Sequence, residues 1–297
     1  MSAESAAMHP LATAGTIGFL ATKGVFVTAF GFAIRVGENV TQFEEELKAS
    51  AREQIEFMLC EDEDMALVAV DEEVKSLVWK GLSEVFSSFK RMLSSLIPEA
   101  ALAPGPTEVQ VVNALMDLEW MSNILPKINL MKEFVTLWLE ISSDILGVIE
   151  DPRLGSLLWR YKSKLVEVMG KVLDAVAYGN VILPALSRVR LLKMWLPYIR
   201  KMKPLLDWKS TEEEGFCYQI DQDLCQSIEG AVVSLVSALP SNDQAEILAD
   251  WLRAEQVQYP DLAEAFEIWC YRSKSARRRL AEGQAQENDE KDPALRL

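Results

Sequence analysis

The chain has 297 residues, 49% hydrophobic and 25% charged, a balance that can fill the core of one large helical array or of two domains. Its formal net charge of -15 disfavours non-specific binding to nucleic acid over most of the surface. The single histidine, His9, excludes from the body of the chain both histidine-based metal sites and catalytic centres that pair histidine with serine or cysteine.

The four cysteines form no C-x-x-C pair and match no usual disulfide framework. They are Cys60, Cys217, Cys225 and Cys270. We expect reduced thiols in a cytosolic or nuclear protein, with no metal and no cofactor. A zinc site made of all four thiolates is the alternative, although the spacings match no usual pattern.

The first 40 residues differ in composition from everything that follows. Residues 11–36 are rich in Ala, Gly, Thr and Phe, and Lys23 and Arg35 interrupt them. The longest uncharged stretches are shorter than the roughly 18 residues that a membrane span needs. We predict an unstructured or weakly structured leader over residues 1–40, and a targeting peptide is the alternative.

The next segment has the pattern of helices. Apolar residues recur at steps of three and four from Val74 to Leu93, which predicts a long amphipathic helix. The Pro- and Gly-containing stretch 98–106 is the clearest break in the chain. We therefore predict an N-terminal helical subdomain over residues 41–97 and a boundary at about residue 105.

One sequence motif then occurs three times: a Leu-Pro dipeptide followed by a Trp-Leu dipeptide. The prolines and tryptophans are Pro126 with Trp138, Pro184 with Trp195, and Pro240 with Trp251. A period of about 57 residues is typical of stacked helical units that present surfaces to partners. We predict an all-α fold with three tandem helix-(Leu-Pro)-helix units over residues 107–281. Each unit buries its Trp, and a disordered tail follows over residues 282–297. Independent use of proline corners in a bundle is the alternative.

Two basic clusters stand out in this acidic chain. The first, within residues 187–206, contains six cations and no acid: Arg188, Arg190, Lys193, Arg200, Lys201 and Lys203. It predicts a docking face for an acidic partner segment. The alternatives are a solvated face, or neutralisation by the acids at 212–214 or 61–64. The second cluster, residues 272–279, has the composition of a nuclear-localisation signal or of cations that favour a helix C-terminus.

Four stretches resemble the C-terminal helical region of plant BTB/POZ domain-containing proteins. They are EQIEFMLCEDED (53–64), MDLEWMSNILPKINLMKEFVTLWLEIS (116–142), YGNVILPALSRVRLLKMWLPYIRKMKPLLD (178–207), and the residues from DLCQSIEG to EIWCYR (223–272). The resemblance covers about residues 42 to 282. It implies a substrate-specific adaptor of a cullin-3 E3 ubiquitin ligase, in which a BTB domain binds the cullin and the helical region binds the substrate.

A BTB domain needs roughly 100 residues of mixed strand and helix, whereas about 40 precede the resemblance. We therefore expect the BTB domain to be absent from this chain and cullin-3 to be a partner only if that domain is supplied elsewhere. The first hypothesis is a non-enzymatic interaction module that binds a ubiquitination substrate, without nucleic acid or a membrane span, in the cytoplasm, the nucleus or both. A helical scaffold in signalling or transcription is the second hypothesis. An enzyme with carboxylate chemistry is the third.

Overall fold

The computed structural model describes residues 11–35, 42–60, 67–99, 106–151, 154, 158–179, 181–213, 215–216, 218–253 and 259–291. Within these ranges the chain is helical and contains no strand, which confirms the all-α prediction. The helices are α1 (Leu11–Ala33), α2 (Gln42–Met58), α3 (Glu72–Glu99), α4 (Pro106–Ile128), α5 (Met131–Ile149), α6 (Trp159–Ala177), α7 (Ala185–Glu212), α8 (Gln222–Ser237), α9 (Ser241–Leu252) and α10 (Ala263–Lys291).

The chain separates into two compact units. Unit 1 is Met1–Lys164 and unit 2 is Leu165–Leu297, so the division falls within the residues of α6. It differs from the predicted boundary at about residue 105. The reason is that α3 packs against both α4 and α5, which places the helices on either side of that break in the same unit.

The first helix contradicts the predicted leader. Residues 11–33 form α1, and Phe26 and Phe30 have no exposed surface. Their rings stack with centroids 6.1 Å apart. Helix α1 packs against α2 and α3, and the apolar side chains at helical spacing supply the buried area that stabilises it. The prediction of an unstructured segment is therefore wrong for residues 11–33.

A glycine permits the close packing of α1 on α3. A Cβ atom at Gly81 would lie 2.6 Å from Cε1 of Phe30 and 2.7 Å from Cδ1 of Ile34. At the start of α3, the Asp71 carboxylate accepts hydrogen bonds from the backbone N–H groups of Glu73 (3.1 Å) and Val74 (2.9 Å). It thereby satisfies N–H groups that a helix N-terminus leaves unpaired.

Asp117 of α4 forms ion pairs with two cations of α2. Its side chain is only 7% exposed, and it lies 2.8 Å from Lys48 Nζ and 2.5 Å from Arg52 Nη2. Arg52 also donates to the backbone carbonyl of Ala33 at the end of α1 (3.1 Å), and its guanidinium lies 4.8 Å from the centroid of the Trp120 ring. These contacts fix α2 against α1 and α4.

The Leu-Pro repeats correspond to the helix pairs α4–α5, α6–α7 and α8–α9. Pro184 and Pro240 immediately precede α7 and α9, as the pattern predicts. Pro126 instead lies inside the last turn of α4. The helix ends after it because Asn129 is left-handed (φ 60°), and the N–H groups of Asn129 and Leu130 bond to the carbonyls of Pro126 (3.2 Å) and Leu125 (3.0 Å).

The repeated tryptophans are not equivalent. Trp138 and Trp195 are fully buried, and each packs against an aromatic neighbour, Phe134 at 6.2 Å and Tyr198 at 5.7 Å between centroids. Trp251 is only half-buried, so the prediction of a buried ring is wrong in the third unit. The reason is its position near the end of α9, a helix of 12 residues.

The last helix continues into the predicted tail. Helix α10 extends to Lys291, so residues 282–291 of the predicted tail are helical, whereas residues 292–297 lie outside the described residues. Residues 282–291 contain three Glu and two Gln, which are good helix formers.

Candidate partner-binding surface

Helix α7 presents one side to the core of unit 2 and the other side to solvent. Its buried side chains include Leu192, Trp195 and Ile199. On the opposite side, exposed residues follow one another at helical spacing. We call this side the α7 outer face and define it as Leu186, Arg190, Pro197, Lys201 and Trp208.

Two of the six predicted cations are held by neighbouring acids. Lys193 pairs with Glu246 of α9 (Nζ to Oε2, 2.7 Å), and this hydrogen bond raises the pKa of the Lys193 ammonium group. Lys203 pairs with Asp207 one turn further along α7. The internal-pairing alternative therefore applies to these two lysines, with acids other than those at 212–214 and 61–64. Residues 61–64 lie outside the described residues.

Arg200 is engaged with α9. Its guanidinium approaches the carbonyls of Asp250 (3.5 Å) and Trp251 (3.4 Å) near the C-terminus of that helix, where a positive charge is favoured by the helix dipole. Partial burial lowers the pKa of the Arg200 guanidinium. Arg188 is half-buried, with its Nε atom enclosed. These two arginines are thus directed toward the protein rather than toward solvent.

Arg190 and Lys201 are the exposed remainder of the predicted patch. Within the described part of the chain, neither forms an ion pair with an acidic side chain. They stand 11 residues apart, or about 16 Å along α7. The structure therefore brings two of the six cations to one face, not all six.

Large apolar side chains flank these cations. Leu186 is 83% exposed near the start of α7, and Trp208 is 57% exposed near its end. Exposed aromatic and arginine side chains are typical of the energetic centres of protein interfaces. Leu186 and Trp208 are not among the site residues predicted from the sequence, because their exposure depends on which side of α7 faces the core. The available signal was spacing, since Trp208 follows Lys201 by seven residues and shares its face.

Other kinds of site find no support in the described residues. No group of three or more His, Cys, Asp or Glu side chains there is placed to hold a metal ion. None of the helices searched is long and apolar enough to cross a membrane. The thiols of Cys60, Cys225 and Cys270 are free, and burial raises the pKa of the Cys225 thiol. Cys217 and His9 lie outside the described residues.

Comparison with known proteins identifies the family. Residues 67–276 match the family described as BTB/POZ Ankyrin-like repeat. The chain belongs to this family. The BTB/POZ domain-containing protein At3g05675 of Arabidopsis thaliana is 39% identical over 267 residues, which are 86% of this chain and 58% of that protein. The chain thus spans less than two thirds of the length of this relative, and no solved structure matches it.

The family match confirms the resemblance to BTB/POZ-related plant proteins. It covers α3 to about the first half of α10, and therefore includes the α7 outer face. Membership of a BTB/POZ-like family favours a protein-interaction module.

Proposed function

We propose that this chain is the substrate-recognition part of a BTB-type adaptor for a cullin-3 E3 ubiquitin ligase, and that it acts in the cytoplasm or the nucleus without catalysing a reaction itself. The observation that carries the proposal is the α7 outer face, an exposed basic and apolar surface inside the family match. The cullin contact is assigned to a BTB domain outside the residues of this chain.

The α7 outer face suits an acidic segment of a substrate. Arg190 and Lys201 would pair with two acidic side chains about 16 Å apart, which favours encounter and sets the register of binding. Leu186 and Trp208 would pack against apolar residues of the same segment. A well-packed tryptophan of this kind typically contributes 2 kcal/mol or more to binding, so Trp208 is the expected anchor.

The adaptor needs no reactive group. A bound substrate is kept at a high effective concentration near the ligase, and this tethering alone speeds modification of its lysines. This mechanism accounts for a functional surface composed of ordinary surface residues.

The test is affinity purification of the native gene product from plant cells, followed by mass spectrometry. The wild type is compared with Arg190→Glu/Lys201→Glu, which reverses both exposed charges of the α7 outer face. The matched control is Lys132→Glu/Lys171→Glu, which makes the same charge change at exposed positions on α5 and α6. We expect cullin-3 with all three proteins, and loss of partners that carry acidic segments from the first variant alone.

Two results would contradict the proposal. Absence of cullin-3 from the wild-type sample would overturn the ubiquitin-ligase role and favour a helical scaffold in signalling or transcription. Equal recovery of every partner with both variants would show that the α7 outer face is not the recognition surface. Recovered partners should also accumulate when the gene is deleted, as expected for substrates of degradation.

A further inference from the structure

A groove of about 650 Å³ lies between α8 and α10 in unit 2. Its lining includes the small residues Gly230 and Ser234 of α8, and Ala238 directly after this helix. Val233 and Ile268 supply apolar surface to its middle part. Its volume is within the range of known ligand sites, although it is open along its length.

The two ends of the groove differ in charge. At one end stand Glu229, Asp261 and Glu264, and the Glu229 carboxylate already accepts the backbone N–H of Asp261 at 2.8 Å. At the other end, Arg272 donates to the carbonyl of Ser237 at 2.6 Å, where α8 terminates. From the Glu229–Asp261 contact to the Ser237–Arg272 contact, residue numbers rise along both lining segments. Helices α8 and α10 therefore run in the same direction along the groove.

The carboxylates at the acidic end can accept further hydrogen bonds. The Glu229 carboxylate accepts one hydrogen bond from the backbone N–H of Asp261, and the Asp261 carboxylate accepts one from the backbone N–H of Ala263. A carboxylate can accept several more. Glu264 pairs with no cation in the described part of the chain. Three carboxylates against one guanidinium leave the groove lining with a net charge of about -2.

We infer that this groove binds a peptide segment of a partner protein through a lysine or arginine side chain. The cationic head lies among Glu229, Asp261 and Glu264, where charge-assisted hydrogen bonds are strongest. Its methylene stem and a neighbouring apolar residue cover Val233 and Ile268. The fixed charge of Arg272 repels a second cation at the far end, so the peptide binds in one direction. This inference is independent of the proposed adaptor function and of the α7 outer face.

The probe is a phage-displayed library of random peptides of about twelve residues, selected on the purified full chain. Enriched peptides are then synthesised with a fluorescent label, and their affinities are measured by fluorescence anisotropy. We expect a consensus with a Lys or Arg next to an apolar residue. Glu264→Lys should weaken binding by about tenfold or more, since it places a like charge where the cation binds.

The matched control is Glu267→Lys, the same substitution on α10 at an exposed position that does not line the groove. It should leave the affinity unchanged. Thermal unfolding of each variant verifies that it is folded. Selection of no peptide above background, a consensus without Lys or Arg, or equal weakening by Glu264→Lys and Glu267→Lys would each overturn the inference.

Discussion

Asp117 illustrates how one carboxylate organises its surroundings. It is nearly enclosed, and its cost of desolvation is offset by two cations from α2, Lys48 and Arg52. The same arginine reaches the carbonyl of Ala33, so the carboxylate indirectly holds the end of α1. A buried charge is tolerated when its partners of opposite charge are in place, whereas removing one partner leaves the other buried without compensation and strongly destabilises the fold.

Replacing Asp117 with Asn keeps the shape of the side chain and removes its charge. We expect the free energy of unfolding to fall by about 3 kcal/mol, because two partly buried cations lose their counter-charge. Urea denaturation followed by circular dichroism measures this loss. Asp144→Asn is the control, since its 3.2 Å pair with Lys90 is half exposed and should contribute less than about 1 kcal/mol. Similar losses for the two variants would disprove the special role of Asp117.

The tryptophans of the second and third units provide a paired test of burial. Trp195→Ala should reduce the free energy of unfolding by about 3 to 5 kcal/mol, since it leaves a cavity in the core. Trp251→Ala should reduce it by only about 1 to 2 kcal/mol, because its ring is half-buried. Chemical denaturation of both variants under the same conditions gives the comparison. An unchanged midpoint for Trp195→Ala would contradict the buried position of this ring.

At the scale of helices, the packing of α1 on α3 reverses an ordinary propensity rule. Ala normally stabilises a helix over Gly by roughly 0.5 to 1 kcal/mol. At Gly81 the new methyl group would collide with the enclosed ring of Phe30, so we expect Gly81→Ala to destabilise the protein by about 1 to 3 kcal/mol. Gly147 of α5 has no neighbour within 4 Å of the same position, and Gly147→Ala should be stabilising. Thermal unfolding of both variants tests this expectation. A change in unfolding temperature of the same sign for both variants would contradict the close packing at Gly81.

The start of α3 should respond to acid. Lys23 of α1 lies 2.6 Å from Asp71, and this hydrogen bond, together with the backbone N–H groups of α3, lowers the pKa of the Asp71 carboxyl from its usual range. A lowered folded-state pKa means that the stabilisation is present above the unfolded-state value and is lost as the pH falls through the folded-state value.

We therefore expect wild type to be more stable than Asp71→Asn at neutral pH, with a difference that shrinks as the pH falls below about 4. Urea midpoints at several pH values measure the difference. Lys23→Met is the companion variant, and in its background most of this pH dependence should vanish. A difference between wild type and Asp71→Asn that stays constant down to acid pH would contradict the ion pair.

At the scale of the whole molecule, the sequence predicts helix pairs better than it predicts their surroundings. The spacing of Pro184 and Pro240 locates the starts of α7 and α9, because proline restricts the backbone locally. Helix α1 escapes the same analysis, since exposed Val25 and Phe32 accompany buried Phe26 and Phe30 and blur the periodicity. Which of its sides is buried depends on α2 and α3, which come later in the chain.

The candidate site was predictable to a similar degree. The concentration of cations on α7 is a sequence feature, but the separation into paired and exposed cations is not. Lys193 meets Glu246, which is 53 residues away in sequence, whereas Lys201 has no such neighbour among the described residues. A tertiary contact of this kind has no local sequence signature. Only the folded structure therefore shows that Arg190 and Lys201 are the exposed cations among the six without an acidic partner in the described part of the chain.

The burial of Phe26 and Phe30 has a practical consequence for recombinant production. Composition suggests starting an expression plasmid at residue 41, after the supposed leader. Such trimming would uncover the surface of α3 around Gly81 and leave Arg52 without the Ala33 carbonyl. Newly exposed apolar surface of this kind promotes inclusion bodies and chaperone binding. Solubility screens and antigen preparations should therefore keep α1, and a failure of the trimmed protein should not be taken as evidence that the helical region cannot fold.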